Sequence, residues 1–210
     1  MIGDNFVYFG NLFPNEPQYQ SGKFVGLALV PRFERDIPHD ARSNLPFEDE
    51  SVGGFQSQDV FEHIEREKLP AILNDIFRCM RPEAVFRLSL PDYNSPLLRQ
   101  RSAYDHHGNV LYDVAMGGAL KASMSGEIET LLPAGGDAHL WFPTYHELLA
   151  LIVASDIRRC RTIAFHHHWI TPNSYVMHDF DQSVMPVSRT PPNDMRAGGK
   201  PISIVVDFIK

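Results

Sequence analysis

Three side chains stand where this sequence could move a proton: His63, Asp92 and His106. His63 lies in "FEHI", residues 61 to 64. Imidazole titrates near neutrality, so His63 could serve as a general base toward a hydroxyl. The plainer reading is a helix-start histidine that bonds backbone and orders its turn. Asp92 follows Pro91 at the end of an apolar run and could orient or deprotonate a substrate. An aspartate after proline also commonly caps the next segment. His106 stands in "YDHHGN", residues 104 to 109, beside Asp105 and His107. Three more histidines fall in "FHHHW", residues 165 to 169, with His178 and Asp179 downstream.

Ten histidines invite a metal reading, because imidazole and carboxylate suit zinc, iron or nickel. Adjacent strand residues point to opposite faces, however, so His166 and His168 share a side and His167 does not. No histidine pair has helical metal-ligand spacing, and Cys79 and Cys160 add none. Ligands would have to converge from distant loops. The expectation is no metal site.

Hydrophobic periodicity indicates the elements that position these groups. Strands are expected at Phe6–Phe9, Lys23–Leu29, Asp36–His39, Gly54–Ser57, Ala84–Leu90, Cys160–His166 and Ile202–Ile209. Leu69, Ile72, Leu73, Ile76, Phe77 and Met80 form one apolar stripe, which predicts a helix over Glu65–Met80. Pro70 is tolerable there only in the first turn. "TYHE", residues 144 to 147, has capping-box form and opens a second helix ending near Ser155. Pro14 and Pro17 keep the N-terminal half poor in helix. Residues 93 to 143 are irregular and read as an insert covering the site, and residues 169 to 201 as a long loop. Strands alternating with helices make an α/β sheet, mostly parallel. A last strand reached by a loop should run antiparallel.

The chain has 210 residues, 43% of them apolar, which suits one domain spanning 1–210. A net charge of −7 disfavours a nucleic-acid partner. The two cysteines form no disulfide framework, and no stretch reads as a leader or a membrane span. A cytoplasmic protein with a small-molecule substrate and no membrane partner is the expectation. An exposed strand edge near Ile202–Ile209 would permit a homodimer.

Residues 36 to 93 carry a resemblance to a known family. "LPFEDES", Leu45 to Ser51, follows an acidic residue, Asp40, at the end of the third strand. "FEHI" matches a Leu-Glu-His turn after the fourth strand, and "RPEA", residues 81 to 84, stands at a Lys-Pro-Gly-Gly turn before the fifth. This pattern resembles the class I S-adenosylmethionine-dependent methyltransferases, specifically a group of small single-domain members. The resemblance implies a Rossmann-like, seven-stranded sheet with its last strand antiparallel. It also implies a cofactor pocket at the carboxyl ends of the first four strands, the usual site in open α/β sheets. S-adenosylmethionine would be the cofactor. Phe9, Gly10, Asn11, Asp40 and Gln58 stand at its contact positions, with Asp40 toward the adenine amino group. His63, Asp92 or His106 would then serve a methyl acceptor.

The chain departs from the family at two places. "FGNLFPN" has one glycine where members carry Gly-x-Gly, and Ala28 or Leu29 stands where an acid holds the ribose hydroxyls. The implied activity is methyl transfer to a small-molecule or sugar hydroxyl. The alternative is a catalytically inactive binding module or partner subunit on the same fold, a pseudoenzyme. An open pocket beside Gly10 and Asp40 would favour the enzyme. Leu12 or Phe13 filling that space would favour the binding module.

Overall fold

The computed structural model describes residues 6–117, 119–122, 128–131 and 138–210. Its frame is an eight-stranded sheet. The first strands are β1 (Phe6–Phe9), β2 (Phe24–Ala28), β3 (Asp36–Pro38), β4 (Val52–Gln58) and β5 (Met80–Pro91). The C-terminal part adds β10 (Thr162–Thr171), β11 (Ser174–Met177) and β12 (Ser203–Ile209). The order across the sheet is β11-β10-β12-β5-β4-β1-β2-β3. Strands β1 to β5 pair in parallel. β12 is antiparallel to β5 and to β10, and β11 closes an antiparallel hairpin on β10.

The expected architecture is therefore present, with one strand added. β11 comes out of the segment read as a loop, and β10 runs to Thr171. β12 is not an edge. It lies between β5 and β10 and is almost wholly buried. The edge expected to support a homodimer does not exist there, and the sheet ends at β3 and β11 instead.

Helices are few in the N-terminal half. One turn, α1 (Pro17–Gln20), bridges β1 and β2. The predicted long helix begins as a 3-10 turn at Arg66–Lys68 and becomes regular at α2 (Leu69–Cys79). Pro70 thus falls in the first turn, where its missing N–H has no helical partner to lose. Residues 93–143 include α3 (Pro96–Arg99) and two hairpins, β6 (Ser102–Tyr104) with β7 (Val110–Asp113) and β8 (Ala119–Ala122) with β9 (Ile128–Leu131). α4 (Tyr145–Val153) is capped by Thr144, whose hydroxyl accepts from the Glu147 amide at 3.3 Å, while the Glu147 carboxylate pairs with Arg66 at 2.6 Å instead of reaching back. Among the described residues no helix is long and apolar enough to cross a membrane.

The two faces of the sheet are covered differently. On one, Phe9, Phe55 and Phe86 pack against Leu73, Ile76 and Leu148 from α2 and α4. On the other, Tyr8, Leu12 and Phe24 pack against Met185 of the segment after β11. An irregular segment brings unpaired carbonyls to a buried face, and each needs a donor. The sheet and α1 supply them. Gln18 and Gln56 donate to the Pro186 carbonyl at 2.9 and 2.7 Å, and Arg87 donates to those of Asp181 and Met185 at 2.7 and 2.6 Å.

Candidate functional site

The carboxyl ends of β1 to β4 open into one cavity of about 640 Å³. Each end contributes a short stretch: Phe9 to Asn11, Ala28 to Val30, His39 to Arg42, and Asp59 to Glu65 without Phe61 and Glu62. Ala138 and Leu140 form the far wall. A depression of equal volume lies at the opposite ends of the strands, around Asp75, Arg78 and Lys210. Its charges are already paired, Arg78 with Asp75 and Asp49, and Lys210 with Glu50. The first cavity keeps two acceptors, Asn11 Oδ1 and Asp59 Oδ1, with no hydrogen-bond partner among the described residues.

Gly10 makes the turn after β1. Its φ is +110°, a conformation that disfavours any side chain, while a Cβ there would find ordinary contacts. Its amide donates to the Leu27 carbonyl at 2.7 Å, which holds the turn against β2. The bulky residues that follow leave the cavity. Leu12 is fully buried on the other face of the sheet, and Phe13 lies outside against Phe33. Asp36, which no local motif marks, makes this possible. The Asp36 carboxylate accepts from the amides of Leu12, Arg32 and Phe33, each at 3.0 Å, and ties the β1 turn to the loop before β3.

Of the expected cofactor residues, Phe9, Gly10, Asn11 and Asp40 line the cavity and Gln58 does not. Asp40 is gripped by Arg42 through both carboxylate oxygens, and those hydrogen bonds chiefly lower its pKa to about 2. Gln58 shares a face with Tyr8 and Gln56, because strand side chains alternate. It bonds the Ser188 amide at 2.8 Å on the far side of the sheet. Asp59, the next residue, turns into the cavity instead, with a φ of +52°. Burial raises its carboxyl pKa, and an ion pair with Arg189 at 3.0 Å offsets part of that. Asp59 Oδ1 and Asn11 Oδ1 are buried acceptors with no hydrogen-bond partner among the described residues. Among the described residues no carboxylate closes the end of β2, where Leu29 and Val30 are exposed.

The three catalytic candidates separate. His63 lines the cavity, and its Nδ1 lies 2.9 Å from the Ala138 carbonyl. A carbonyl only accepts, so Nδ1 carries the proton and Nε2 presents its lone pair in the neutral ring. Asp92 is fully buried, and its two oxygens accept from the Asn94 amide at 3.0 Å and the Trp169 amide at 2.6 Å. It joins the end of β5 to β10, so neither oxygen is available to a substrate. His106 lies against His107, the rings tilted at 45°, in the exposed β6–β7 turn, outside the cavity lining.

Burial pushes the Asp92 carboxyl up to about 7, against the amides that favour its charge. A folded-state value above the unfolded 3.8 means Asp92 contributes stability fully below 3.8, lost as pH rises to about 7. Urea denaturation across that window should show the wild type gaining stability over Asp92→Asn as pH falls. Parallel curves for the two proteins would remove this assignment.

The histidines of residues 166 to 168 are engaged elsewhere. His166 pairs with Asp207 at 3.0 Å, His167 bonds Thr190, and His168 stacks on Tyr145. They do not gather with His106 and His107. The two tryptophans are buried packing residues. Trp141 donates to the Phe61 carbonyl at 2.9 Å and Trp169 to that of Pro201 at 2.8 Å.

No family model and no curated protein matches this sequence. Solved structures do match in fold. An S-adenosylmethionine-dependent methyltransferase from Archaeoglobus fulgidus superimposes with a TM-score of 0.54, at 12% identity, over 99% of this chain and 87% of that one. One from Mesorhizobium loti gives 0.51, at 13% identity, over 100% and 92%. The chain has the class I S-adenosylmethionine-dependent methyltransferase fold.

Proposed function

We propose that this chain binds S-adenosylmethionine in the cavity beside Gly10 and Asp40 and transfers its methyl group to a small-molecule or sugar hydroxyl. The observation that carries the reading is the open cavity itself. Leu12 and Phe13, which could have filled it, are both placed elsewhere. Its chemistry suits the ligand as well. Asn11 Oδ1 and Asp59 Oδ1 are buried acceptors that need donors, and the ammonium and ribose hydroxyls of the cofactor supply them. The apolar Ala28 or Leu29 replaces the ribose acid of the resembled family, so affinity rests more on the β1 and β4 ends. Methyl transfer is an in-line displacement in which alignment of donor and acceptor carries most of the rate. His63 is the one catalytic candidate of the three that lines the cavity.

Calorimetric titration of the purified chain with S-adenosylmethionine and S-adenosylhomocysteine tests this. Micromolar binding is expected, weakened about tenfold in Asp40→Ala, the order of one hydrogen bond to a charged group. No heat up to millimolar ligand would turn the reading toward the alternative, a binding module without cofactor.

A further inference from the structure

The turn after β4 holds a carboxylate with no visible reason to be buried. Glu62 is fully buried, and neither carboxylate oxygen has a hydrogen-bond partner among the described residues. An unpaired buried carboxylate is costly, and such groups are normally paired or bound to metal. Two imidazoles face it. His63 Nε2 and His139 Nε2 lie 3.9 and 3.8 Å from the same oxygen, Oε1, too far for hydrogen bonds. The two rings meet edge to face with centroids 4.9 Å apart.

Both rings are oriented from behind. His63 Nδ1 donates to the Ala138 carbonyl. His139 Nδ1 lies 2.5 Å from the Tyr93 hydroxyl, whose proton goes to Asp113 at 2.7 Å. Arg101 holds Asp113 at 2.7 Å, so the phenol oxygen accepts from His139. In each neutral ring the lone pair is then on Nε2, toward Glu62. Two nitrogen lone pairs and the Glu62 carboxyl group converge with no hydrogen bond among the three groups. Metal-bound histidines characteristically donate their other N–H to a carbonyl or a carboxylate-linked group, as both do here.

We propose that Glu62, His63 and His139 bind one divalent first-row metal ion of the zinc, cobalt or iron(II) kind. One ligand atom from each residue lies within 4.8 Å of the other two, and this is the one such group among the described residues. Bonds of about 2.0–2.2 Å at tetrahedral angles place ligand atoms roughly 3.4 Å apart, so each imidazole nitrogen must come about 0.4–0.5 Å nearer to Oε1, and the two nitrogens up to about 1.4 Å nearer to each other, to complete the triad. Two histidines and one carboxylate leave coordination positions open. His63 also lines the cavity, so those positions border the proposed methyl-acceptor side. The sequence holds two ligands side by side in "FEHI", whereas His139 comes from a distant segment. That segment is clamped by the Leu140 amide on the Glu62 carbonyl at 2.8 Å and by the Trp141 indole on that of Phe61.

The test is calorimetric titration of the full chain, stripped with chelator, with Zn²⁺, Co²⁺ and Mg²⁺ in the absence of S-adenosylmethionine. One Zn²⁺ or Co²⁺ per chain is expected, with much weaker Mg²⁺ binding. Glu62→Gln and His139→Gln should each weaken Zn²⁺ by about 100-fold or more. The double variant His106→Gln/His107→Gln should bind as wild type. Absent binding, or loss confined to the His106/His107 variant, overturns the proposal. If a site variant fails to fold, the wild-type Co²⁺ spectrum decides. Intense visible bands of a four- or five-coordinate site support the triad, and a pale hexa-aqua-like spectrum overturns it. The inference does not rest on methyl transfer: a chain that takes zinc but no S-adenosylhomocysteine keeps this site and loses the other reading.

Discussion

Arg87→Ala is expected to cost about 3–5 kcal/mol of folding stability, the range for stranding one member of a buried ion pair. Arg87 Nε and one terminal nitrogen bind the two oxygens of Asp207, both at 2.7 Å, with the pair nearly enclosed. Burial alone would raise the Asp207 carboxyl, but hydrogen bonds from Arg87 and His166 outweigh it and leave the pKa low. The other terminal nitrogen holds the carbonyls of Asp181 and Met185, and Phe180 lies under the guanidinium at 4.7 Å. One side chain thus neutralises a buried acid and fastens the segment covering the second face of the sheet. Arg87→Lys should lose less, because it keeps a positive charge against Asp207, but it should not match the wild type, because one point charge cannot make both the bidentate and the carbonyl contacts. Replacing the pair together, as Arg87→Met with Asp207→Leu, should recover part of the loss by removing the stranded charge. Urea denaturation of the four proteins gives the answer. A loss below about 1 kcal/mol for Arg87→Ala would mean the pair is as weak as a surface one.

Gly26→Ala is expected to damage stability and cofactor binding together. A Cβ at Gly26 would stand 2.4 Å from Asp36 Oδ1 and 2.9 Å from the Gly10 carbonyl. Neither neighbour can give cheaply. Asp36 is fixed by three amides, and the Gly10 carbonyl belongs to the turn that shapes the cavity. Overpacking of this kind costs about 1–3 kcal/mol. Relief would come from moving the β1 turn, so affinity for S-adenosylhomocysteine should fall at least about tenfold, roughly 1.4 kcal/mol. Gly53→Ala is the control, because its Cβ meets only the flexible end of Arg81, at 3.1 Å. Denaturation and calorimetry on both variants separate the effects. A Gly26→Ala protein that binds as wild type would show that the turn does not depend on this close approach.

The sheet was legible wherever the signal was local. The apolar run of β1, the stripe of α2, the capping box of α4 and the last strand all follow from spacing within a few residues. The resemblance carried by "LPFEDES" and "FEHI" then supplied the fold. Gln58, the last residue of β4, sits beside the cavity in sequence but not in space. Alternation turns it to the far face and leaves Asp59 in the cavity. Asp92 and His106 had suitable chemistry, but one is consumed by two amides and the other projects from an exposed turn.

By itself the sequence determined the alternating α/β order, the antiparallel last strand and the single-glycine turn, all of which are written in neighbouring residues. Only the tertiary structure decided that Leu12 leaves the cavity, that β12 is interior, and that His139 meets Glu62 across 77 residues of chain separation. Those outcomes depend on which backbone groups and charges must find partners once water is excluded, and such partners are chosen in space.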